Sequence, residues 1–117
     1  MSAMQELWRL DVLALTSLIR SKQVSAREVV EAAFSRLSAV NPHVNAVVEI
    51  LADEALSAAD QADVHLAKGE VLGPLHGVPV TTKINTDQKG CATSGGVVAY
   101  RDLIAQEDSP SIANLRR

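Results

Sequence analysis

The residue best placed to do chemistry is Lys83, because it closes an apolar, β-branched run. Residues 73–83 read GPLHGVPVTTK, and the part from Val78 onward favours a β-strand in which Pro79 needs no ladder N–H. In open α/β sheets ligands bind at the end of such strands. An ammonium held against apolar surroundings loses its proton more readily, because desolvation disfavours the charged form, and a neutral lysine is a base. Taken alone, the pattern favours a plainer interpretation, a strand-end lysine whose stem covers apolar surface.

Three strings, in order along the chain, resemble one family and change that interpretation. They read VSAREVV at residues 24–30, AVNPHVNA at 39–46 and GPLHGVPVTTK at 73–83. Together they are similar to the amino-terminal part of the amidase signature hydrolases, over a stretch from about Leu10 to Arg117. The resemblance implies hydrolysis of a carboxamide C–N bond, without a cofactor, by a Ser-cisSer-Lys triad whose lysine matches Lys83.

Neither serine of that triad matches a position in this sequence. In the family both lie in a glycine- and serine-rich signature well downstream of the lysine. We therefore expect residues 1–117 to form a single incomplete domain, the amino-terminal portion of an amidase signature domain. In the implied relay the lysine takes a proton from the bridging serine, which takes one from the attacking serine. A lysine without that relay has nothing to activate, so we expect these 117 residues alone to be inactive.

The short string TSGG at residues 93–96 is similar to that later signature only superficially. It follows the lysine closely, where the family has a threonine-rich active-site loop. We therefore assign Thr93, Ser94, Gly95 and Gly96 to substrate lining, and we do not assign catalysis to Ser94. The plainer interpretation of the segment is a glycine turn.

The residues directly after the lysine bear on the type of amidase. The family frequently has Lys-Asp-Asn, whereas this chain has Lys83-Ile84-Asn85. With the residues that follow, this is more similar to a subset of general bacterial amidases than to the glutamyl-tRNA amidotransferase subunit of the same family. That glutaminase, which would need partner subunits, is one alternative. The other is a non-catalytic truncated product that acts only as a binding piece.

Composition excludes several other classes of function. The net charge of −3 gives no reason to expect nucleic acid, and no apolar run approaches the length of a membrane span, so we predict a cytoplasmic protein. His43, His65 and His76 lie far apart, without cysteine or carboxylate at metal-ligand spacing, so no metal site is predicted. Cys91 is the lone cysteine and is interpreted as packed. The expected partner is a small-molecule amide, with a homo-oligomer left open.

Caps and periodicity locate the elements before the lysine. Asp11 can cap a first helix, and Ser25 with Glu28 forms a capping box for a second, which should end where Asn41 precedes Pro42. A third, alanine-rich helix should stop at Gly69. We predict helices near 11–21, 25–40 and 53–68 and a strand near 78–83.

The remaining segments complete the predicted fold. Residues 46–51 are interpreted as extended, 84–96 as a loop lining the cleft and 97–103 as a short helical turn. Ser109 and Pro110 suit the start of a last helix. The predicted fold class is α/β, a helical hairpin and a third helix leading into the first strands of a mixed sheet.

Overall fold

The computed structural model describes residues 3–117, which fold as helices joined by loops. The elements are, in order, a 3₁₀ segment at Ala3–Arg9, α1 at Val12–Arg20, α2 at Ala26–Val44, α3 at Ala52–Ala67, a 3₁₀ turn at Val98–Tyr100 and α4 at Pro110–Leu115. These residues form two compact units, the first ending at Pro79 and the second running Val80–Arg117. The three helices predicted before the lysine are confirmed, all in the first unit. A single incomplete domain spanning 1–117 stays a prediction.

The first two helices begin where their caps predict. The Asp11 carboxylate accepts a hydrogen bond from Ala14 N at 2.8 Å ahead of α1. The capping box of α2 is complete, since Glu28 N donates to Ser25 Oγ at 3.0 Å and Ser25 N donates to Glu28 Oε2 at 2.7 Å. A cap of this kind contributes about 1 kcal/mol, because it supplies acceptors to donors that the helix leaves unpaired.

A carboxylate from α3 completes the start of α2. Asp63 Oδ1 accepts from Ala26 N at 2.7 Å, and Asp63 Oδ2 accepts from Arg27 N at 3.2 Å. Together with the capping box, Asp63 gives every backbone N–H from Ser25 to Glu28 a side-chain acceptor. Its negative charge also lies at the positive end of the helix dipole. Asp63 therefore links the second and third helices through charge-assisted hydrogen bonds.

An exposed ion-pair network runs beside that contact. Arg27 Nη1 donates to Asp60 at 2.7 Å, and Arg27 Nε donates to Glu31 at 2.8 Å. The hydrogen bond to Asp60, reinforced by the one to Glu31, raises the pKa of the Arg27 guanidinium. All three side chains are largely exposed, so the network fixes the register of α2 and α3 more than it stabilises them.

The second helix is longer than the sequence predicts. It continues through Pro42 to Val44 and ends at Asn45, which adopts the left-handed conformation at φ 48°. The predicted end at Asn41 is wrong, because the Asn41 side chain is held in place by the following loop. Its Oδ1 accepts from Val47 N at 3.0 Å, and its Nδ2 donates to Val47 O at 2.9 Å. Proline so near the end of a helix interrupts little of the hydrogen-bond ladder.

The core of the first unit is built from small and medium-sized apolar side chains. Its buried members are Leu7, Leu15, Ile19, Ala26, Val29, Val30, Ala32 and Ala59. Ile19 is fully buried. A core of this kind follows from a sequence with only 3% aromatic residues, because alanine and valine let helices pack closely.

Gly77 lets the chain after α3 approach the helices more closely than any other residue would allow. Its φ is +78°, in the left-handed region. A Cβ at this position would lie 2.9 Å from Ala26 Cβ and 3.1 Å from Ile19 Cδ1. Two hydrogen bonds hold the neighbouring chain: Arg20 Nη2 donates to Gly73 O at 2.8 Å, and His76 Nε2 contacts a backbone carbonyl oxygen of α3 at 2.8 Å.

The strand predicted at 78–83 does not form. Val78 N donates to Leu75 O at 3.0 Å in a turn, and among residues 3–117 the N–H groups from Val80 to Lys83 have no backbone acceptor. A strand exists only beside a paired neighbour, and the described chain places none there. The predicted mixed sheet is therefore unconfirmed, and residues 46–51 likewise form no strand.

The second unit is organised by a short antiparallel pairing. Ala92 and Ile104 form a bridge, flanked by hydrogen bonds from Gly90 N and Thr93 N to the opposite chain segment at 2.9 and 3.0 Å. The predicted loop, helical turn and last helix are all present here. α4 begins after Ser109, whose hydroxyl accepts from Ile112 N at 3.5 Å.

We predict that Gly77→Ala destabilises the chain more than Gly69→Ala does. Gly69 also has a positive φ, +71°, but a Cβ there meets nothing within 4 Å. Gly69→Ala should cost about 1–2 kcal/mol from backbone strain alone. Gly77→Ala adds overlap with two buried side chains, which costs a further ~1–3 kcal/mol. Urea unfolding of both variants measures the difference, and equal losses would show that the close approach at Gly77 contributes nothing.

Candidate functional site

Lys83 lies in the second unit and is the last residue of the GPLHGVPVTTK string. Its side chain is exposed, and its backbone carbonyl accepts from Thr86 N at 3.0 Å. The chain therefore turns immediately after the lysine. The lysine is the first residue of a hydrogen-bonded turn and does not lie at the end of a strand.

The TSGG segment returns to the residue that follows the lysine. Gly95 N donates to Ile84 O at 3.3 Å, so residues 93–96 lie beside Ile84. Gly95 and Gly96 have φ values of +56° and +82°, which suit glycine at a tight turn. The Ser94 hydroxyl oxygen accepts from Gly96 N at 3.3 Å within that turn. The structure thus places all of the predicted site residues in one loop; their roles stay predictions.

Two carboxylates that sequence reasoning overlooked hold this loop together. Thr93 Oγ1 donates to Asp87 Oδ1 at 2.7 Å, across the loop. Asp108 Oδ1 accepts from Lys89 N at 2.8 Å, while its Oδ2 pairs with Arg116 Nε at 2.8 Å. The signal in the sequence was weak: aspartates within loops rich in threonine, serine and glycine tend to accept local hydrogen bonds.

The start of α4 braces the same loop. Ser109 N donates to Asp87 O at 2.9 Å, so the residue that caps α4 also fixes the backbone of Asp87. Ile112, the buried residue of α4, anchors the helix. The loop after the lysine therefore has defined geometry, because the backbone of Asp87 and Lys89 and the side chain of Thr93 are all hydrogen-bonded.

The other chemical candidates have local roles. Cys91 is partly buried and forms no disulfide, and its backbone carbonyl accepts from Ala105 N at 3.0 Å in the antiparallel pairing. Within residues 3–117, no group of three or more potential ligands is arranged to hold a metal ion. None of the described helices has the length and apolar character needed to cross a membrane.

The chain is similar to several curated amidases. It is 47% identical over 110 residues to the indoleacetamide hydrolase of Bradyrhizobium diazoefficiens, a match that covers 94% of this chain and 21% of that protein. It is 37% identical over 113 residues to a glutamyl-tRNA(Gln) amidotransferase subunit of Acidothermus cellulolyticus, covering 97% and 22%. The chain thus spans about a fifth of the length of these relatives.

Solved structures show the same fold. One, from work on a vestigial protein complex and the evolutionary origins of an s-triazine catabolic enzyme, superposes with a TM-score of 0.87 at 31% identity, covering 92% of this chain and 24% of that one. A bacterial aryl acylamidase of the amidase signature family superposes with a TM-score of 0.77 at 31% identity, covering 82% and 20%. The Amidase family profile matches residues 28–117. This chain therefore belongs to the amidase signature family.

Proposed function

We propose that this chain supplies the lysine base of an enzyme that hydrolyses the C–N bond of a carboxamide through an acyl-serine intermediate. The observation that carries the proposal is the position of Lys83. It closes the GPLHGVPVTTK string and lies within the residues matched by the Amidase profile. The residues that follow the lysine form a loop ordered by hydrogen bonds.

The proposed reaction depends on a proton relay, since a serine hydroxyl is a weak nucleophile at neutral pH. The neutral amine of Lys83 accepts a proton from a bridging serine, which accepts the proton of the attacking serine as its oxygen adds to the amide carbonyl. Collapse of the tetrahedral intermediate breaks the C–N bond, and the relay returns a proton to the leaving amine. Water then releases the acyl group by the same route. Both serines would come from a region of the enzyme outside these 117 residues.

The relatives guide the choice of substrates. The relative at 47% identity is an indoleacetamide hydrolase, so an arylacetamide belongs in the substrate panel beside simple aliphatic carboxamides. The similarity to a glutamyl-tRNA(Gln) amidotransferase favours one alternative, a glutaminase that works with partner subunits. Release of ammonia from glutamine, but not from the simple carboxamides, would identify that alternative.

A non-catalytic binding role is the second alternative, and exposed apolar side chains favour it. In the second unit Val98 is 73% exposed and Leu103 is 57% exposed. Single exposed apolar side chains are common on protein surfaces, whereas a contiguous group of them marks a surface that other protein covers. In an amidase the remainder of the enzyme would cover them, whereas a binding piece would present them to another partner.

We predict that Lys83→Ala, in the amidase that contains this chain, lowers kcat/KM for carboxamides by about 10²–10⁴-fold, because the relay loses its base. The matched control is Lys89→Ala, which removes an exposed lysine from the same loop and should leave kcat/KM within about twofold. Steady-state hydrolysis of the substrate panel measures both variants. Near wild-type turnover by a folded Lys83→Ala variant would show that Lys83 is not the base.

We also predict that the 117-residue chain alone hydrolyses no amide above background. A base without its two serines has no nucleophile to activate. The measurement compares the purified chain, the separately purified serine-bearing region and their mixture on the same panel. Hydrolysis by the chain alone would contradict the proposal and would indicate that Ser94 or Cys91 is the nucleophile.

A further inference from the structure

We propose that Asp87 fixes the Thr93 hydroxyl as a hydrogen-bond acceptor for the N–H of the substrate carboxamide. The inference rests on the proposed amide hydrolysis and assigns a specificity role to a contact inside the second unit. Asp87 is the positioning residue, and Thr93 is the residue that would touch the substrate.

The direction of the hydrogen bond between these two side chains follows from their chemistry. Thr93 Oγ1 lies 2.7 Å from Asp87 Oδ1. An ionised carboxylate only accepts hydrogen bonds, whereas a hydroxyl has one proton to donate and two lone pairs. The proton of Thr93 is therefore directed to Asp87. Toward any further partner, the Thr93 oxygen can therefore act only as a hydrogen-bond acceptor.

The backbone holds that hydroxyl in place from several directions. Thr93 N donates to Leu103 O at 3.0 Å, and Asp87 O accepts from Ser109 N at 2.9 Å. The bond between Gly95 N and Ile84 O, at 3.3 Å, keeps the segment beside the residue that follows Lys83. A group held at both of its ends loses little freedom when a ligand binds, which favours a binding role.

The other hydroxyls of this loop differ from Thr93. The Ser94 oxygen already accepts from Gly96 N at 3.3 Å, so one of its lone pairs is in use. Thr82 Oγ1 donates to the neutral amide oxygen of Gln88 at 3.1 Å, and Thr82 is exposed whereas Thr93 is partly buried. Thr93 is thus the partly buried hydroxyl of this loop that is directed by a carboxylate.

A fixed acceptor discriminates between acyl compounds by the atom attached to the carbonyl. A primary carboxamide offers N–H donors at that atom, and an ester of the same acyl group offers none. The acceptor is satisfied by the amide and left without a donor by the ester. One neutral hydrogen bond of this kind corresponds to about a 2- to 12-fold preference.

The test uses the amidase that contains this chain, with a primary carboxamide and the methyl ester of the same acid as probes. Thr93→Val removes the acceptor at nearly constant volume, and Thr93→Ser keeps it. Asp87→Asn replaces the carboxylate by an amide that can donate to the Thr93 oxygen, so the Thr93 proton is no longer directed to residue 87 and the hydroxyl is no longer restricted to accepting. Thr82→Val is the matched control, because it deletes a loop hydroxyl bonded to a side chain six residues away. Where the ester turns over too slowly, its competitive inhibition constant replaces kcat/KM.

We expect Thr93→Val and Asp87→Asn to lower kcat/KM for the amide by about 2- to 12-fold while the ester value stays unchanged. Thr93→Ser and Thr82→Val should keep the wild-type amide-to-ester ratio. Thermal melting identifies any variant that fails to fold; Asp87→Asn keeps side-chain volume and carries the test if Thr93→Val is such a variant. An equal fall for amide and ester, or no fall in either, would overturn the inference. Lys83→Ala separates this failure from failure of the proposed function, since it removes turnover of both probes only if Lys83 is the base.

Discussion

The first unit depends on the close approach of Gly77 to the two helices beneath it. Glycine at this position has a left-handed φ, and the space that a Cβ would take is already filled by Ala26 and Ile19. Ala26 is itself the first residue of α2, where Asp63 from α3 accepts its N–H. One small volume therefore joins α1, α2, α3 and the chain that leads toward the lysine. A larger side chain at Gly77 or at Ala26 would push the chain at residue 77 away from α1 and α2.

The second unit meets a different constraint, because its loop has little apolar core to hold it. Ile112 is the buried residue of the unit, and order comes instead from hydrogen bonds of Asp87, Asp108 and the antiparallel pairing at Ala92. Polar bracing of this type gives precise geometry at modest stability. Such an arrangement suits residues that must be positioned for a substrate, and leaves apolar side chains such as Val98 exposed.

Features set by neighbouring residues were predictable from the sequence. The capping box of Ser25 and Glu28, the Asp11 cap and the Ser109 cap each act within one helical turn, so their patterns are legible in the sequence. The absence of the predicted strand at 78–83 could not be read from the sequence in this way, because β-propensity describes a single residue whereas pairing requires a second segment.

Long-range contacts account for the other differences. The end of α2 was misplaced because Asn41 is held by Val47, a contact that a rule about the residue before proline does not include. Asp63 caps a helix that begins 37 residues earlier, and no local sequence pattern predicts that contact. At the candidate site, the family resemblance indicated Lys83 and residues 93–96, but the Asp87 contact with Thr93 needed the fold.

The central claim is that Lys83 activates a serine, and labelling by a fluorophosphonate probe tests it without knowledge of the natural substrate. The probe reacts with a serine only when a base has raised its nucleophilicity. In the proposed full-length amidase, we expect rapid labelling of the wild type and of Lys89→Ala, and labelling slowed by orders of magnitude in Lys83→Ala. Labelling of folded Lys83→Ala at the wild-type rate would contradict the assignment of Lys83 as the base.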